Sequence, residues 1–74
     1  MSIETVKNKE LVRDLSAMLI KDRTFLENIY TRAPETGFGY EVVTALLSDN
    51  PRESLEKMNP DYALVFDFVC EKYL

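Results

Sequence analysis

Few side chains in this sequence could do covalent or acid–base chemistry. Cys70 is the only thiol, and histidine is absent. A nucleophilic cysteine needs a nearby cation or imidazole to hold its thiolate, whereas Glu71 beside Cys70 opposes one. Without histidine neither a Ser–His nor a Cys–His pair can form, and one thiol cannot build a structural zinc site. Two carboxylate pairs remain, Asp67/Glu71 and Glu53/Glu56. Such pairs do general acid–base work when burial separates their pKa values. On the exposed faces of short helices they are solvated charge, which is the expectation here. Gly37-Phe38-Gly39 lacks the length, the following lysine and the preceding strand of a phosphate-binding loop. The residues therefore predict no enzyme, with no catalytic group, no metal and no cofactor.

The elements that would have to position a site are small. The 74 residues, 46% hydrophobic and 30% charged, suit a single domain spanning 1–74. A chain of this size has a thin core, and a lone cysteine rules out an internal disulfide. Either the core suffices or another chain completes it. Enclosing a ligand cavity of ~300–1,000 Å³ would be difficult. The first ten residues carry no apolar signal segment, and no run approaches the ~18 apolar residues of a membrane span. The expected location is the cytoplasm, without membrane contact.

Helical periodicity dominates and predicts an all-α bundle of four to five short helices, at about 4–21, 24–32, 40–48, 51–58 and 60–74. In the first, Leu11, Val12, Leu15, Met18 and Leu19 share one arc, with Ile20 off it. In the second, Thr24 and Glu27 fit a capping box, and Phe25, Leu26, Ile29 and Tyr30 form the expected buried face. Residues 33–39 read as a loop, with the two glycines permitting positive φ around Phe38. The third helix is apolar over most of its circumference and is expected at the centre. Asn50-Pro51 and Asn59-Pro60 each supply a cap followed by proline at the first helical position. A strand reading of residues 62–70 fails because Ala63, Val65 and Val69 spoil the polar alternation.

The last helix carries two apolar surfaces. Tyr62, Val65, Phe66, Val69, Cys70 and Tyr73 form the expected core face. Leu64 and Phe68 lie apart from them, flanked by Lys72, with Asp67 and Glu71 as a polar strip. A second stripe must either be buried in the bundle or meet another chain. The charge is also uneven, at +1 over residues 1–32 and −5 over 33–74. The expected function is binding a partner protein, as an inhibitor, antagonist or adaptor. Leu64 and Phe68 would anchor the contact, Phe38 would be an additional loop-tip contact, and Asp61, Asp67 and Glu71 would steer a basic partner. Two alternatives stand beside it. A helix-turn-helix over residues 21–32 would bind DNA through Lys21, Arg23, Asn28, Thr31 and Arg32, although the acidic remainder opposes nucleic acid. A self-associating assembly subunit, simplest as a homodimer, would use the second stripe on itself.

Overall fold

A computed structural model describes residues 3–32 and 37–74 of the chain, with side chains for 6–29, 31 and 37–74. The described residues form five helices and no strand: α1 (Ile3–Lys21), α2 (Arg23–Arg32), α3 (Phe38–Leu46), α4 (Pro51–Met58) and α5 (Pro60–Tyr73). This is the all-α bundle that the periodicity predicts.

The caps set the corners. Asn50 accepts a hydrogen bond from the Glu53 amide at 3.4 Å, and Asn59 accepts one from the Asp61 amide at 2.9 Å. Each satisfies an orphan helix-start donor, and Pro51 and Pro60 forfeit only an N–H that had no helical partner. Asn59 is extended, with φ −167° and ψ 126°, so α4 stops and α5 leaves in a new direction within one residue.

Two helix starts differ from the sequence reading. The α2 cap is Asp22, whose carboxylate accepts from the Phe25 amide at 3.1 Å. Glu27, read as half of a capping box with Thr24, instead pairs with Arg23 at 3.0 Å. An aspartate one residue outside the helix is a good cap in its own right, and the arginine four residues before Glu27 outcompetes a backbone amide for its carboxylate. The third helix begins at Phe38 and ends at Leu46, two residues earlier at each end than expected. Among the described residues only Gly37 has positive φ, at 120°; Gly39 is helical, and a β-carbon there would lie in ordinary contact with Leu11 Cδ2, at 3.9 Å.

The core is built from one residue or a few of every helix. Val12, Leu26, Val42, Leu46 and Leu55 are completely buried, joined by Val43, Ala45 and Tyr62. Burying each large aliphatic side chain contributes about 1.5–3 kcal/mol. Helix α3 supplies four of these residues and is the enclosed element, as its wrap-around apolarity predicts. Helix α5 packs on both α1 and α4, α3 on α1, α2 and α4, and α2 on α1. Lys9 meets Asp61 at 3.4 Å and Lys21 lies 4.9 Å from the Tyr73 ring centre. These contacts fall at equal steps along the two helices, so α1 and α5 run parallel.

The expected α2 core face is corrected. Leu26 is buried, but Phe25 is 50% exposed and Ile29 is also exposed; Tyr30 lies outside the described side chains. Helix α2 makes only a slight approach to its neighbours, and Leu26 alone is buried among its described side chains. Tyr73 is likewise exposed, at the end of α5 where α1 has run out.

Candidate functional site

The outward side of α5 is where a surface helix ordinarily carries polar residues. Here it carries Leu64, 61% exposed, and Phe68, 60% exposed. The register follows from burial on either side. Tyr62 and Val69 go into the core and Ala63 is covered as well, which turns Leu64 and Phe68 to solvent. The bundle therefore does not cover the second stripe predicted from the sequence.

The stripe borders a groove between α1 and α5 of about 470 Å³, floored by Val65 and walled by Val6, Lys9, Arg13, Leu64 and Phe68. Beyond Phe68 a narrower groove of about 350 Å³ continues past Ala17, Val69 and Tyr73. It leads to a third hollow, in which Phe25 of α2 joins Met18, Lys21 and Tyr73. Val6, Leu64, Phe68, Tyr73 and Phe25, five of the exposed large apolar residues, thus lie along one seam running the length of α1 and α5. An apolar surface this extended on a small chain marks a contact surface more readily than scattered exposed residues do. The two end hollows are open to solvent, and the middle groove is more enclosed.

Of the charges assigned to this face, Asp61 and Lys72 lie on it. Asp61, in the first turn of α5, pairs with Lys9 across the groove, and the Lys72 ammonium sits 5.4 Å from the Tyr73 ring centre. Asp67 does not join them. It turns toward α4, where both carboxylate oxygens accept from Arg52 Nε at 3.0 Å. Arg52 also donates to Glu56 at 3.1 Å, and its guanidinium is held above its ordinary pKa chiefly by Asp67. The acid read as steering a partner thus ties α4 to α5. Glu71 is exposed and forms no ion pair among the described residues. Phe38 is also corrected: it is no loop tip but the first residue of α3, half-buried, its ring edge-on to Tyr62 with centroids 5.5 Å apart.

Of the two carboxylate pairs, every member except Glu71 faces a cation. Glu53 faces Lys57 at 3.7 Å, and Glu56 and Asp67 share Arg52. Burial, and after it Asp67, pushes the Cys70 thiol above its usual pKa, which disfavours the thiolate. Among the described residues no group of His, Cys, Asp and Glu is arranged to hold a metal ion, and no helix is long and apolar enough to cross a membrane.

The DNA-reading residues are dispersed or occupied. Arg23 is held by Glu27 and by the Leu47 carbonyl at 3.3 Å. Thr31 donates its hydroxyl to the Glu27 carbonyl at 2.9 Å, and Lys21 lies on Tyr73. Asn28 is exposed; the Arg32 side chain lies outside the described residues. The sequence reading missed Val6, Phe25 and Tyr73 as parts of the seam, because it assigns Phe25 and Tyr73 to core faces and gives Val6 no face.

Comparison of the chain with protein-family models, with curated proteins and with solved structures gives no match.

Proposed function

We propose that this protein works by binding another polypeptide, without catalysis, as an inhibitor, antagonist or adaptor. The observation that carries the reading is the exposure of Leu64 and Phe68 on the outward side of a helix whose other side is core. Aromatic and aliphatic side chains one helical turn apart are the usual anchors of helix-groove contacts. The rim of Lys9, Arg13, Asp61 and Lys72 mixes both signs. A mixed rim favours orientation of a partner with its own mixed charge over general attraction to a basic surface, so the acidic balance of the chain acts mainly on solubility.

The test compares wild-type chain with Leu64→Asp/Phe68→Asp, each immobilised and exposed to nuclease-treated lysate of the source cells. A stoichiometric protein retained by the wild type and lost by the double variant, at unchanged helicity, is the expected outcome. Retention that is equal on both baits would refute the assignment of the stripe. Phosphate-dominated binding would instead fall steeply with salt and disappear with nuclease, which would revive the DNA-binding alternative.

A further inference from the structure

We infer that the polypeptide filling this seam in the free protein is a second copy of the same chain, docked about a two-fold axis with the two α5 helices antiparallel. The inference rests on reading the outward stripe of α5 as a protein-binding face, and it names the occupant. Along that stripe the residues are Asp61, Leu64, Phe68 and Lys72. Their spacing of three, four and four residues keeps all four on one side of the helix. The order is acid, apolar, apolar, base, and it is nearly symmetric about its own midpoint between Leu64 and Phe68.

A two-fold contact demands this kind of pattern, since residue i of one copy must suit residue j of the other and the reverse. An antiparallel pairing centred between Leu64 and Phe68 sets Leu64 against the second copy's Phe68, twice. It also sets Asp61 against the second copy's Lys72, twice, at points about 16 Å apart along the helix. The parallel pairing would face acid with acid and base with base. The antiparallel one also opposes the helix dipoles favourably. Asp61 and Lys72 lie on the α1 side of the stripe: Asp61 pairs with Lys9, and Lys72 lines the groove shared with Arg13, Asp14 and Ala17 of α1. A two-fold axis crossing the helices preserves that side, so the opposite charges meet. The apolar pair supplies the attraction. The exposed charges, individually weak, fix the orientation.

The experiment is sedimentation velocity on the full chain over a concentration series, with helicity checked by circular dichroism. The wild type is expected to shift from monomer to dimer mass as concentration rises, and Leu64→Asp/Phe68→Asp to remain monomeric. Asp61→Lys and Lys72→Asp each create two like-charge contacts and should each weaken self-association about ten-fold. Mixed together, the two variants restore complementarity at both contacts and should form a heterodimer. That rescue separates a broken interface from a damaged fold. A wild type that stays monomeric into the millimolar range overturns the inference, as does a dimer indifferent to the stripe and charge variants. In the monomeric case, loss of a captured partner by Leu64→Asp/Phe68→Asp would still support the protein-binding reading, so the two fail separately.

Discussion

Ser16 is completely buried in α1, and its hydroxyl finds no hydrogen-bond partner among the described residues. A buried hydroxyl without a partner costs about 1–3 kcal/mol of desolvation, and serine is a poorer helix former than alanine. Ser16→Ala should therefore stabilise the fold by about 1 kcal/mol, seen as a rise in Tm of roughly 4–8 °C for a domain this small. A fall in Tm would mean that the hydroxyl has a partner in solution. Cys70 makes a second residue-scale prediction. Its thiol pKa is raised by burial and by Asp67, so alkylation by iodoacetamide should be slower than for a free cysteine at pH 8. The sign for stability follows. The folded state favours the neutral thiol, so this contribution is intact below the unfolded thiol pKa. It is lost as pH rises through the folded value. Denaturation midpoints of wild type and Cys70→Ser should converge or cross only on the alkaline side.

At the scale of elements, the α3–α4 and α4–α5 corners each depend on one short polar side chain, Asn50 and Asn59. Replacing Asn59 with alanine removes the cap of α5 and should cost about 1 kcal/mol, with glycine costing only a few tenths. Urea titration of Asn59→Ala, Asn59→Gly and Asn50→Ala measures this directly; equal losses for alanine and glycine would show that the cap hydrogen bond is not what matters. These corners were legible in the sequence because a cap is local, involving an asparagine, a proline and an amide within three residues. The stripe was legible too, since Leu64 and Phe68 fall off the arc defined by Tyr62, Val65 and Val69 whatever the neighbours do. The α2 face was not. Phe25, Leu26 and Ile29 are equally apolar, and only the narrow approach of α1 and α3 selects Leu26. Asp67 misled for the same reason, because its role depends on Arg52, which only the turn between α4 and α5 brings to it. At the start of α2 two local signals competed, and Asp22 prevailed over Thr24.

On the whole-molecule scale, no layer of the bundle closes without α1. Val12 and Ser16 face the interior with no exposure, and α1 touches α2, α3 and α5. The parallel pairing of α1 with α5 joins segments about fifty residues apart, whereas α3, α4 and α5 follow one another through short turns. Loop-closure entropy delays the distant contact, and local contacts form sooner. Folding should then begin in the α3–α5 portion, with α1 docking after the barrier. Val12→Ala, expected to cost about 1–3 kcal/mol, would show that cost mainly as faster unfolding, with a φ-value below about 0.3. Leu55→Ala, in the buried face of α4, should instead slow refolding. During synthesis the same geometry leaves the α5-facing side of α1 uncovered until α5 itself has emerged, although α2 and α3 can already pack on α1.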